Sequence, residues 1–173
     1  MSELRYRLLA ADLDGTLADD EAHISLRVQE AVRRALECGV IVTLATGRSF
    51  PSTLPFAHQL GITAPLICYQ GGLIQDPCTG EILYEATLPR SLVEETVTLA
   101  RERDWHLILY ERERILVTEE RCDRDFYERW LGRDIIAVPD LMAALQREAT
   151  KFIVVAEPAE ADRIEEELQE RFR

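Results

Sequence analysis

A chain of 173 residues and 19.8 kDa holds one ordinary domain or two small ones, with enough length for a sizeable core, which excludes a large multidomain machine. Hydrophobic residues at 47% and charged residues at 30% exclude a disordered or fibrous chain. The 32 acidic residues outnumber the 20 basic ones, and the resulting net charge of −12 excludes a broad grip on a nucleic-acid backbone.

The first fifteen residues carry early charges and two aspartates after a short apolar run, a pattern of neither a signal peptide nor a membrane span, so a cytoplasmic chain is expected. Residues 6–11 form that run and read as a buried strand. Residues 25–38 follow helical spacing, with Val28, Val32, Ala35 and Leu36 on one face, Ser25 as cap and Gly39 as stop. A second apolar strand is expected over 40–45, a helix over 51–60 closed by Gly61, and a third strand over 65–69.

Apolar strands alternating with amphipathic helices predict an α/β fold, a Rossmann-like doubly wound parallel sheet covered on both faces. After Gly71 and Gly72 the pattern changes to a hairpin over 73–85, turning at residues 76–80. A smaller α+β module is then expected: a helix over 91–104, paired strands over 106–111 and 114–117, a helix over 119–130, a strand over 135–138, a short helix, a strand over 151–156 and a last helix over 158–172. The expected domains are 1–88 and 89–173.

The chemistry concentrates where the first strand ends, in Asp12-Leu13-Asp14-Gly15-Thr16-Leu17. Ligands of open parallel sheets bind beyond the carboxyl ends of the strands. Strand residues two apart share a side, so Asp12 and Asp14 reach one site while Leu13 turns inward. Gly15 permits a sharp turn and close approach of backbone amides to an anion. Two neighbouring carboxylates repel unless a cation or a shared proton intervenes, and hard oxygen ligands suit Mg2+. The alternative is a solvated Asp-rich turn.

At the end of the second strand, Thr46, Gly47 and Arg48 place a hydroxyl, a flexible backbone position and a guanidinium beside the aspartates. All three are phosphate-handling groups. Taken alone, Thr46 also reads as a helix cap.

Together the DLDGTL and ATGR segments resemble the haloacid dehalogenase superfamily, specifically Cof-type phosphatases with a type IIB cap. The resemblance implies that Asp12 is the nucleophile on phosphorus and Asp14 the general acid and base. It implies Mg2+ on a carboxylate oxygen of Asp12 and the backbone carbonyl of Asp14. Thr46 would hold the phosphoryl group, Arg48 would contact substrate, and Gly15, Thr16, Gly47 and Gly71 would line the phosphate site. The family's Asn-Gly-Gly-like turn reads Gln70-Gly71-Gly72 here, with the amide on a longer arm.

The family's third-motif lysine and fourth-motif acidic pair have no match. Asp134 and Asp140 flank an apolar run, Asp123 and Asp125 lie in a helical stretch, and Lys151, the only lysine, opens a strand at a sheet edge and reads as a surface residue. The sequence therefore reads as stopping at the end of the cap, with the edge and faces of the first strand bare. Either a missing C-terminal core segment or a homodimer is expected to cover them.

Cys38, Cys68, Cys78 and Cys122 are too unevenly spaced for zinc or a disulfide framework and read as buried thiols. His23, His58 and His106 read as surface or helix-face residues, Arg112 and Arg114 as exposed turn residues, and the acidic stretch 157–170 as a solvated amphipathic helix. Trp105 and Trp130 are expected to pack in the second module. The leading expectation is a phosphatase of small phosphorylated metabolites of the sugar-phosphate type, working through an aspartyl-phosphate, with no nucleic-acid or membrane partner. A catalytically silent binding or assembly module, and phosphotransfer to an acceptor other than water, are the alternatives.

Overall fold

The structure, a computed structural model, describes residues 5–119, 121–122 and 135–172, and these fall into two compact units that part between Ala86 and Thr87. In the first unit, β1 (Leu8–Ala11) pairs in parallel with β2 (Ile41–Leu44), Leu8 opposite Ile41 and Ala11 opposite Leu44. β3 (Leu66–Cys68) joins through a parallel bridge between Ala45 and Ile67, then pairs antiparallel with β4 (Leu73–Gln75), which pairs with β5 (Ile82–Glu85).

The helices begin and end where the chain chemistry dictates. Ser25 caps α1 (Leu26–Glu37) by accepting the Val28 N–H, and Gly39 follows the helix at φ +84°. Ser49 caps α2 (Phe50–Leu60) by accepting the Ser52 N–H, and Gly61 closes it in the left-handed conformation. In the turn before β5, the Asp76 carboxylate accepts the N–H groups of Cys78 and Thr79 at 2.8 Å each.

Val42, Thr43 and Leu44 are all buried, so β2 is covered on both faces, and its core continues through Leu13, Ala57, Leu66 and Cys68. β1 departs from the expected double cover. Leu8 is 60% exposed and Leu9 43%, and because neighbouring strand residues face opposite sides, both faces of β1 are open. Its outer edge pairs with no strand among the described residues.

The second unit holds a sheet in the order β8-β7-β6-β9, built from β6 (His106–Glu111), β7 (Arg114–Val117), β8 (Ile135–Ala137) and β9 (Lys151–Val155). Val93, Val97 and Ala100 of α3 (Arg90–Glu102) pack at helical spacing on Leu107, Leu109 and Leu116. Leu141 of α4 (Leu141–Ala144) completes that core, with Trp105 against it as expected. α5 (Pro158–Arg171) buries Ile164 and exchanges ion pairs with the α3 side through Arg103–Glu167 and Arg171–Glu95. The helix expected over 119–130 falls mostly outside the described residues, as do Asp123, Asp125, Trp130 and Asp134.

Several expectations about single residues are corrected. Only Cys68 is buried: Cys38 and Cys78 are exposed and Cys122 is intermediate. His106 is buried, because β6 is an inner strand of its sheet and all six of its residues are covered. Arg114 is an ion-pair partner of the buried Glu111 rather than a loose turn residue, and Arg112 is half-buried at φ +55°. Lys151 does lie on an edge strand but is half-buried, with its ammonium 5.7 Å from the Tyr110 ring centroid, and burial draws its pKa below the usual lysine range. No helix among the described residues is long and apolar enough to cross a membrane.

Candidate active site

β1 ends at Ala11, and the next three residues alternate: Asp12 exposed, Leu13 fully buried, Asp14 exposed. The buried Leu13 anchors the loop while both carboxylates project outward. Gly15 takes φ +71°, which a side chain disfavours, and its N–H donates to the Ala18 carbonyl at 3.0 Å. The N–H groups of Thr16, Leu17 and Ala18 converge on the Leu13 carbonyl at 3.3, 3.0 and 2.8 Å. Gly15 thus makes the sharp turn expected of it, with its own amide bonded inside that turn. Thr16 likewise works within the loop, its hydroxyl lying 3.4 Å from the Asp12 Oδ2 it donates to.

The Ala45 N–H donates to the Ala11 carbonyl at 2.9 Å, which brings the end of β2 beside the end of β1. Thr46 is buried, its N–H bonded to the Ile67 carbonyl at 2.9 Å and its hydroxyl accepting the Arg48 N–H at 3.2 Å. The helix cap is Ser49, so Thr46 is not the capping residue.

Arg48 grips Asp14 with two bonds, Nε to Oδ2 at 2.8 Å and Nη2 to Oδ1 at 2.6 Å. The guanidinium also lies over the Phe56 ring, 5.2 Å from its centroid. Phe56 was not singled out by sequence reasoning; its place about two turns into α2 from Ser49 was the available signal.

A third loop closes against these two. The N–H groups of Tyr69 and Gln70 donate to the carbonyls of Arg48 and Thr46 at 3.1 Å each. Tyr69 and Gln70 both take φ +51° and Gly71 +93°, so two side-chain-bearing residues occupy the left-handed region in succession. A Cβ on Gly47 would stand 2.5 Å from the Gln70 Nε2, so the Gln70 amide rests directly on the glycine. Asp14, Thr46, Arg48, Tyr69 and Gln70 thus belong to one hydrogen-bonded cluster, with Gly47 under the Gln70 amide, Gly71 next in the chain, and Asp12 and Thr16 on the same loop as Asp14.

A model of haloacid dehalogenase-like hydrolases matches residues 9–173. The chain belongs to that family. Among its relatives, a Bacillus subtilis 5-amino-6-(5-phospho-D-ribitylamino)uracil phosphatase, YitU, is 30% identical over 63% of this chain and 41% of its own. A phosphoglycolate phosphatase of Halorubrum lacusprofundi is 29% identical over 81% of this chain and 53% of its own. A haloacid dehalogenase-like hydrolase of Bacteroides thetaiotaomicron superposes with a TM-score of 0.82 at 26% identity, covering 98% of this chain and 65% of that one. This haloacid dehalogenase-like chain therefore spans less than two thirds of the length of each.

Haloacid dehalogenase-like phosphatases generally use Mg2+, and the donors here suit it in part. No group of three or more His, Cys, Asp or Glu side chains able to hold a metal occurs among the described residues. Magnesium keeps several waters and takes one or two carboxylates, so the exposed Asp12 with the Asp14 backbone carbonyl is a chemically apt, incomplete set.

Proposed function

We propose that this chain carries the nucleophile of a phosphatase that hydrolyses small phosphorylated metabolites, sugar phosphates among them, through an aspartyl-phosphate on Asp12. The observation that supports this best is the two-pronged bond of Arg48 to Asp14, which joins the corner after β2 to the loop that carries the exposed Asp12 beyond the tip of β1. Asp12 attacks phosphorus while the bond to the ester oxygen breaks, and Asp14 supplies the proton that the departing alkoxide takes. Water then attacks the same phosphorus, its proton passes to Asp14, and the bonding pair returns to Asp12 as inorganic phosphate leaves. Thr46 and Gly47 orient the phosphoryl oxygens.

Arg48 offsets only Asp14, so a phosphate dianion approaching Asp12 needs a further positive charge. Mg2+ on Asp12 and the Asp14 carbonyl would supply that neutralisation. We place the protein in the cytoplasm, where reducing conditions keep its cysteines as thiols, and assign it no nucleic-acid or membrane partner. The second unit, from Thr87 onward, acts as a specificity cap.

Asp12→Asn tests the assignment: turnover of a simple phosphate ester with Mg2+ is expected to vanish, and unchanged turnover removes Asp12 from the nucleophile role.

A second reading, a silent binding module, is favoured by there being no third acidic ligand beside Asp12 and Asp14 among the described residues and by Lys151, the only lysine of the sequence, lying on the second unit's sheet. Calorimetry with Mg2+ and inorganic phosphate separates them, because a working site binds both together. Either a second copy or a further core segment is proposed to cover β1.

A further inference from the structure

Arg48 is held from four directions. Its Nε and Nη2 bond both oxygens of Asp14, its ring-facing side lies on Phe56, its own N–H bonds the Thr46 hydroxyl and its carbonyl accepts from Tyr69. Its side chain is only 17% exposed. A guanidinium so committed is poorly placed to follow an incoming phosphate, and well placed to hold a carboxylate in one orientation.

The chemistry of the contact says which reaction step it serves. A guanidinium has donors and no acceptor, so the two-pronged pair uses both Asp14 oxygens as acceptors. Accepting a proton is what Asp14 does in the second half-reaction, when water attacks the phosphorylated Asp12. Resting on the phosphatase reading above, we infer that Arg48 is a positioning residue for Asp14 in the hydrolysis of the aspartyl-phosphate, rather than a ligand of the substrate's phosphate. In that step the water oxygen bonds to phosphorus, the water proton goes to an Asp14 oxygen aimed by Arg48, and the Asp12–phosphorus linkage breaks with its electron pair returning to Asp12.

The two roles leave different kinetic traces. p-Nitrophenyl phosphate has a leaving group that departs without a proton, so its first half-reaction does not depend on how Asp14 is aimed. For Arg48→Met, kcat is expected to fall about tenfold to hundredfold, with KM falling in parallel and kcat/KM kept within about threefold. A burst of p-nitrophenol and phosphorylated Asp12 in the acid-quenched protein should accompany it. A phosphate ligand would instead lower kcat/KM with no burst, and that result overturns the inference while leaving the phosphatase reading intact. Arg48→Lys guards against misfolding: one ammonium cannot grip both oxygens, so the same burst is expected, and full recovery of kcat by lysine overturns the two-pronged role. Absence of any turnover and of phosphorylated Asp12 in the native chain with Mg2+ overturns the reading and the inference together.

Discussion

Gln70 concentrates the tension of the site in one side chain. It sits at φ +51°, where an L-residue costs about 1 kcal/mol or more relative to glycine, and its amide covers the Cα of Gly47. Gln70→Gly is therefore expected to raise stability by about 1 kcal/mol in urea unfolding. Turnover should fall at the same time, because the loop loses the group resting on the phosphate corner. A glycine variant that gains stability and keeps full turnover would show that the strained Gln70 has no part in catalysis. Cysteine reactivity is also decided residue by residue. Burial pushes the Cys68 thiol up to about 11, so at mildly alkaline pH its thiolate fraction is very small. Alkylation of the native chain followed by peptide mapping should label Cys38 and Cys78 and spare Cys68 until the protein unfolds. The sequence showed no spacing that distinguishes these three; exposure comes from their places at a helix end, within β3 and in a hairpin turn. The sequence placed Arg48 beside the aspartates 34 residues away through the alignment of two strand ends, but not that it grips Asp14 with two bonds.

Among the elements, β6 and β7 have the bounds that apolar patterning predicts, α1 is bracketed by the expected Ser25 and Gly39, and α2 is closed by the expected Gly61 but capped by Ser49 rather than Thr46. Patterning did not reveal what holds the β6–β7 turn. The buried Glu111 pairs with Arg114 and accepts the N–H groups of Gln146 and Arg147, tying the turn to the segment before β9. Removing Arg114 strands a buried carboxylate, so Arg114→Met should destabilise the second unit by about 3 kcal/mol. Glu111→Gln keeps an acceptor for both amides and should cost less, and the reverse order in urea midpoints would refute the tie. His106, at the start of β6, adds a pH dependence. Burial lowers its pKa below 6.5, Arg121 lowers it further and Glu119 opposes both. The unfolded chain then binds the proton more readily, so His106 favours folding above its ordinary pKa and disfavours it as pH falls below. Urea midpoints should drop on acidification from about pH 7 to about pH 5, and His106→Gln should flatten the part due to this residue.

At the scale of the whole molecule, the first strand decides the most. Tyr6, Leu8, Leu9 and Ile41 are each more than 40% exposed, and among the described residues no strand pairs with the outer edge of β1. Continuous apolar patterning over 6–11 reads as a strand buried on both faces, and that much was legible; what covers it was not, because the covering surface is not among the described residues. An unprotected apolar edge of this kind recruits another strand, and here no lysine or proline blunts it. The chain alone is therefore expected to associate. Sedimentation at rising concentration should give a mass above 19.8 kDa, and Leu9→Lys should shift the distribution back toward that value by placing a charge on one face of the edge. The same variant should leave the Asp14–Arg48 pair in place, since β1 meets β2 through the opposite edge. A strictly monomeric native chain that unfolds only above about 65 °C would mean that β1 needs no cover, and the proposed second copy or further core segment would fall with it.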